Sequence, residues 1–412
     1  MSCSRRYFLG SAATGALGPW AAGGLMAAKP QASMEALEKA AGLPTLKPEI
    51  IRTPVLIDSI RLLRRRGEYL VHVRSKDGAE GVSVTNGRDY LHPILQRLVI
   101  PYFLGKDARD IENHLFEVYR YQDNYKLQGL ALWSPVAWVE FAILDMLGRI
   151  AGKSLGELLG GIVRREVPFY VASGRRDTTP EHEVDYLLRL IDETGARAVK
   201  FRVGGRMSRN ADALPGRTEQ LIPLSRRRLG DQIAIHADAN SSYDPPKAIA
   251  VGRMLEEIKA VYFEEPCPFD HLEDTRRVAE ALTIPVALGE QEASEWQFRW
   301  QIHRRVMDIV QPDLHYYGGM IRSLRVARMA ALAEMPTTVH ISGGFGFVYM
   351  LHFASCTPHI GPYQEYKQGI ETYRNWFDPP LKTERGAITV PQGAGVGIAN
   401  LRDFLRDAKP AK

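Results

Sequence analysis

From residue 166 onward, short apolar runs return at near-regular intervals, beginning at Val167, Ala198, Ile233, Val261, Pro285, Asp308, Thr337 and Ile360. The stretches between them carry helix patterns. Thr179-Pro180 opens one, Val184, Leu187, Leu188 and Ile191 continue it at helical spacing, and Gly195 stops it. Asp244-Pro245 opens another that runs through Leu255 and Ile258. Alternating short strands and helices give an α/β fold with a parallel sheet. Eight such units over about 200 residues fit a (β/α)8 TIM barrel. The structural alternative is an open doubly wound sheet, which brings a glycine-rich phosphate loop after its first strand. Gly174 stands alone there, so the barrel is preferred.

The ends of these runs carry the chemistry. Asp238, Glu264 and Glu290 close three successive runs at spacings of 26 and 26 residues, and Asp313, His340 and Glu365 follow after 23, 27 and 25. One βα unit separates each from the next, so all six reach the C-terminal rim, where barrels place their active sites. Acidic strand ends also cap following helices, but three in succession followed by Asp and His point to a site. Three carboxylates converging in a confined space repel one another unless a hard cation joins them. All-oxygen ligation suits Mg²⁺, with Mn²⁺ as a substitute, and disfavours Zn²⁺; the set has no H-x-H. Lys200 and Arg202 lie two apart on one strand and face the same way. Two cations inside a barrel imply a carboxylate substrate, or pairing with the acidic ligands. Asp313 and His340 on neighbouring strands can form a carboxylate–imidazole pair. His72, His236, His352 and His359 lack such a setting and read as ordinary structural or surface residues.

The rest of the chain sets limits on partners. With 53 basic against 48 acidic residues in 412, the net charge of +5 is too weak to argue for nucleic acid. The runs Arg64–Arg66 and Arg226–Arg228 read as solvated faces. Three cysteines, none in a C-x-x-C, make no disulfide scaffold. Ser4-Arg5-Arg6-Tyr7-Phe8-Leu9, followed by a weakly apolar stretch broken by glycines, reads as a twin-arginine export signal over residues 1–28. Export in the folded state to the periplasm, through the twin-arginine machinery, is expected, with no stable membrane span; no other segment looks long and apolar enough for one. Residues 29–48 read as a linker. Between Val55 and Val84, Leu70–Val73, a turn at Lys76-Asp77-Gly78 and Gly81–Val84 predict an antiparallel sheet. Residues 91–160 are helical in character.

The motifs together resemble the enolase superfamily, in particular its mandelate racemase and muconate lactonizing enzyme-like members. The resemblance covers nearly all of the chain after residue 50. It rests on Lys200-Phe201-Arg202, Asp238-Ala239-Asn240, Phe263-Glu264-Glu265-Pro266, Leu288-Gly289-Glu290, Gln311-Pro312-Asp313 with Gly318-Gly319, His340 and the segment Val390–Gly397. It implies a modified (β/α)8, that is (β/α)7β, barrel over residues 166–374. It also implies an N-terminal α+β capping domain over 49–165, completed by about 375–412. Asp238, Glu264 and Glu290 would bind Mg²⁺, Asn240 would support them, and His340 with Asp313 would be the general-base dyad. Glu365 would hydrogen-bond the substrate carboxylate or enolate oxygen. Loops near Arg61–Tyr69 and Asn86–Tyr90 would close the pocket. A second lysine usually stands where this chain has Arg202, and arginine is a poor base and a better clamp. A single base, His340, favours dehydration of an acid sugar, an aldonate or aldarate, to a 2-keto-3-deoxy acid. The alternatives are a racemase, epimerase or cycloisomerase, and a non-catalytic exported binding protein. The expected partners are a small carboxylate substrate and further copies of the chain.

Overall fold

The computed structural model describes residues 30–343, 345–366 and 369–411; the export-signal reading falls outside them. The first sheet is antiparallel, with β1 Ile57–Arg65, β2 Glu68–Ser75 and β3 Glu80–Val84 joined by tight turns. The Lys76-Asp77-Gly78 turn lies between the last two, as the pattern predicts. Leu70, Val71 and Val73 of β2 are fully buried. The helix Gly129–Ala151 contacts both β2 and β3.

This helix corrects one expectation. At 23 residues it is long and apolar enough to cross a membrane. It is buried along nearly its whole length from Leu132 to Gly148, which accounts for its composition: it is apolar all round because protein surrounds it.

The second sheet is the barrel. Its strands are β4 Glu166–Ala172, β5 Ala198–Arg202, β6 Ala234–Asp238, β7 Tyr262–Glu264, β8 Val286–Leu288 and β9 Ile309–Val310, each paired in parallel with the next. Parallel bridges carry the pairing from Val310 to Thr337 and from Thr337 to Ile360. The last strand, β10 Gln364–Tyr366, then pairs in parallel with β4, which returns the ring to its start. The seventh run thus contributes single bridges at Thr337 and His340 rather than a full strand. The eighth strand begins at Gln364, because Gly361-Pro362 interrupts the run that starts at Ile360, and proline has no N–H for the ladder.

The helices between strands end where the local chemistry predicts. Thr179 caps Pro180–Thr194 by accepting the His182 N–H, and Gly195 closes it at φ 69°. Asp244 caps Pro245–Glu257 by accepting the Lys247 N–H. After the barrel, the hairpin β11 Thr383–Glu384 with β12 Ala387–Thr389 pairs antiparallel to the start of β4, and β13 Lys409–Pro410 returns to pair with β1.

Residues 29–48 are more than a linker. They include the helix Met34–Ala41, capped by Ser33. Its Leu37, Ala40 and Ala41 are buried in one apolar cluster with Phe298, Ile302 and Met329 of barrel helices. Three small or branched apolar residues on one face of eight are enough to dock it.

Candidate active site

Sheet register builds the site. Arg202 is level with Asp238 across the β5–β6 pair, and Asp238 with Glu264 across β6–β7. Glu264 pairs with Ala287, so Glu290, three residues on, stands just past the end of β8. Asp313 and His340 are level through a parallel bridge. The near-regular sequence spacings therefore become one ring of side chains at the strands' C-terminal ends.

Asp238, Glu264 and Glu290 are buried, and each offers a carboxylate oxygen within 4.8 Å of the others. Glu290 Oε2 is buried and, among the described residues, has no hydrogen-bond partner. An orphaned carboxylate oxygen beside two more buried carboxylates is the donor set a hard divalent cation requires. The residues present therefore fit such an ion.

The predicted cations meet two of these acids. Lys200 Nζ lies 2.8 and 3.1 Å from the two oxygens of Glu264, and Arg202 pairs with Asp238. Of the partners left open by the sequence, the acidic ligands are the ones engaged. Burial works against the Lys200 ammonium, but Glu264 and Glu365 outweigh it and hold its pKa above the ordinary lysine range. Asn240 donates its backbone N–H to Asp238 Oδ1 at 2.7 Å and its amide to Oδ2 at 3.1 Å.

Opposite this group stands the dyad. His340 Nδ1 lies 2.7 Å from Asp313 Oδ2, and Nε2 lies 3.4 Å from Glu290 Oε2. Burial would lower the imidazole pKa; Glu290, the Asp313 hydrogen bond and Glu365 overcome it and raise it to about 9. Asp313 is also buried, yet the His340 contact keeps its carboxyl below the usual range. Glu365 sits on β10 and accepts the Ile341 N–H at 3.0 Å.

Several further residues at the site have roles that only the structure shows. Glu265 takes a left-handed backbone (φ 42°) that turns its carboxyl toward the Asn240 amide, 3.3 Å away. Such a conformation costs a non-glycine residue roughly 1–2 kcal/mol. Burial, with Glu290 and Glu264 nearby, raises the Glu265 pKa to about 8. Gln311 donates to Glu264 Oε2 at 3.3 Å. Ser342 donates to Asp313 Oδ1 at 3.1 Å and accepts from the Asn86 amide at 3.1 Å. Arg88 reaches from the same loop to the Tyr316 hydroxyl, and the Tyr316 ring centre lies 6.2 Å from that of His340. The Asn86–Tyr90 loop thus touches the dyad's surroundings. The other loop expected at the pocket, near Arg61–Tyr69, is a β1–β2 hairpin. Its Arg65 stacks on Trp376 and Phe404, and its Glu68 accepts from Tyr373.

His236 is stacked on Tyr262 inside the barrel, with ring centres 4.3 Å apart. Burial and Lys200 lower its pKa to about 3, and its role is packing.

Residues 183–403 match the sequence profile of the enolase C-terminal domain-like family. An arabinonate dehydratase from Saccharolobus solfataricus is 28% identical over 342 residues, covering 80% of this chain and 87% of its own. A D-galactarolactone cycloisomerase from Agrobacterium fabrum is 26% identical, covering 83% and 91%. A crystal structure from Roseobacter denitrificans, of a protein provisionally described as a racemase, superposes with a TM-score of 0.78 at 35% identity, covering 86% of this chain and 98% of that one.

Proposed function

The chain belongs to the enolase C-terminal domain-like family, and on that premise we propose that it is a hydro-lyase of acid sugars. It would remove the proton next to a carboxylate, expel the neighbouring hydroxyl as water and leave a 2-keto-3-deoxy acid. The observation that carries this is the Asp313–His340 pair, set with His340 Nε2 beside the carboxylate triad.

Asp238, Glu264 and Glu290 would hold a divalent cation, Mg²⁺ by preference and Mn²⁺ as a substitute. When bound, that ion would draw charge onto the substrate carboxylate and make the adjacent C–H more acidic. His340 in its neutral form takes the α-proton at Nε2 while Asp313 holds the hydrogen on Nδ1. The same imidazolium then gives its proton to the departing β-hydroxyl, so one residue serves both halves of the elimination. Lys200 and Arg202 are pinned to Glu264 and Asp238; they keep those carboxylates in place and add positive charge beside the substrate carboxylate. Glu365, on β10, would hydrogen-bond the substrate carboxylate or enolate oxygen.

The second reading is an isomerase, a racemase, epimerase or cycloisomerase, and the likeness to a provisionally assigned racemase and a named cycloisomerase favours it. Against it, Lys200, the group that could act from the other face, is held by both oxygens of Glu264 and kept protonated. A panel of aldonates and aldarates with Mg²⁺ in D₂O separates the cases. A dehydratase forms 2-keto acid; an isomerase exchanges the α-proton without it; a protein that does neither is a binder, and the proposal fails.

Export rests on Ser4-Arg5-Arg6-Tyr7-Phe8-Leu9. The mature protein would work in the periplasm. Changing Arg5 and Arg6 to Lys should trap it in the cytoplasm, and an unchanged periplasmic yield would remove the assignment.

A further inference from the structure

Above β4, β5 and β6, three guanidinium groups converge on one side of the barrel mouth. Arg202 ends β5 and is paired with Asp238. Arg176 comes from the loop after β4. It donates to the carbonyls of Val203 at 3.2 Å and Gly204 at 3.3 Å, and to Asn240 Oδ1. Arg206 comes from the loop after β5 and reaches the same Oδ1 at 3.4 Å. Every acceptor of Arg176 and Arg206 is neutral. Among the described residues, neither forms an ion pair. Their neighbours differ: Arg217 has Glu183 at 3.5 Å, and Arg175 turns outward to stack on Tyr186, 4.0 Å from the ring centre.

Arg176 is half-buried, so its charge is only partly relieved by water. Burial and the charges of Arg202, Arg206 and Arg217 lower its pKa to about 9. Two cations sharing one amide oxygen repel each other unless an anion joins them. That anion is not the carboxylate facing the triad, because the Asn240 amide stands between Arg176 and Asp238.

Resting on the acid-sugar reading above, we infer that the substrate carries a second anionic group at its far end, which Arg176 and Arg206 receive. A guanidinium fork matches a carboxylate or a phosphoryl group equally well. The substrate class is then a diacid sugar, or an acid sugar phosphorylated at the other terminus, rather than a simple aldonate.

The test compares diastereomer panels of hexarates, hexonates and 6-phosphohexonates on the Mg²⁺-loaded wild type, Arg176→Gln and Arg206→Gln. Turnover and calorimetric binding are both read. The wild type should select an anionic terminus over the hexonate by about tenfold or more in KM, and either variant should collapse that ratio. Whichever panel shows the preference, hexarate or phosphohexonate, identifies the terminal group. Equal KM for hexonates and both anionic panels in the wild type overturns the inference. So does an Arg176→Gln variant that weakens all panels alike, since Arg176 then only supports Asn240 and its loop. Arg206 is exposed, so Arg206→Gln stays informative if Arg176→Gln folds poorly. If no panel is turned over, the dehydratase reading fails, and the calorimetric preference alone decides this one.

Discussion

Asp313 holds His340 with one oxygen and is itself anchored through the other. Oδ2 lies 2.7 Å from His340 Nδ1, while Oδ1 accepts the backbone N–H groups of His315 and Tyr316 at 2.8 Å each and the Ser342 hydroxyl at 3.1 Å. A carboxylate fixed on both sides sets the ring's orientation and its tautomer, and so directs Nε2 toward the triad.

His340→Asn keeps a polar group of similar reach and removes the base. Product formation and α-proton exchange should fall by roughly 10²–10⁴-fold, with ligand binding retained. Asp313→Asn should leave His340 in place but in the wrong tautomer, lowering kcat more than it raises KM. A His340→Asn protein that still works at the wild-type rate would move the base to Lys200 and revive the racemase reading.

Removing one triad carboxylate should be felt first in metal affinity. Glu290→Gln is expected to weaken Mg²⁺ binding in calorimetry by more than about 100-fold, beyond the loss typical of residues that only support a ligand. Chelation should abolish turnover, and added Mg²⁺ or Mn²⁺ should restore it. Full Mg²⁺ affinity in Glu290→Gln would mean that the triad is wrongly drawn.

Gly319 should tolerate no side chain. Its φ is 108°, and an added Cβ would lie 2.3 Å from Glu140 Oε2. That carboxylate accepts the N–H groups of Met320 at 3.0 Å and Ile321 at 2.8 Å, at the start of the helix Met320–Leu332. Gly319→Ala must strain the backbone and push away a buried hydrogen-bonding partner, at a cost of roughly 3 kcal/mol or more. Urea denaturation measures it; an unchanged midpoint contradicts the packing described.

His352 should make the fold acid-sensitive. It is fully buried, its Nε2 lies 3.1 Å from the Val396 carbonyl, and burial lowers its pKa to about 4. Because the folded value lies below the unfolded one, the unfolded chain takes up the proton first as pH falls below the ordinary histidine value of 6.5. The contribution of His352 is therefore intact above pH 6.5 and is lost progressively toward pH 4. Between pH 7 and 5 the loss is about 2 kcal/mol. Stability curves of the wild type and His352→Gln at those two pH values should differ in slope by that amount, and parallel curves would exclude the linkage.

Much of the barrel is legible in the sequence because each βα unit repeats the same problem. An apolar run must end at the rim, so Asp238, Glu264 and Glu290 recur at one interval, and β5, β6 and β7 bring the first two level in register. The Thr179 and Asp244 caps are local and equally readable. What the sequence does not show depends on contacts between distant segments. The helix Met34–Ala41 has only a short apolar face, and its docking partners lie more than 250 residues away. The membrane-like composition of Gly129–Ala151 reflects the protein packed around it. Glu265 and Gln311 stand in recognisable motifs that assign them no role, and Ser342 and Tyr316 sit among ordinary polar residues, until the strands bring them together. The sequence leaves Arg202 open between a substrate carboxylate and the acidic ligands, because its pairing with Asp238 depends on strand register.

The helix Gly129–Ala151 carries two buried acids with different clients. Glu140 holds the start of the barrel helix Met320–Leu332. Asp145, one turn on, accepts the N–H groups of Val82 in β3 and Val396 near the C-terminus, each within 3 Å. One helix thus ties the antiparallel sheet, the barrel and the chain's final segment to fixed acceptors. The region over the barrel mouth is therefore not an interchangeable module. Grafting the cap of a relative onto this barrel, as a route to new specificity, would need to carry Glu140, Asp145 and their three recipient segments together.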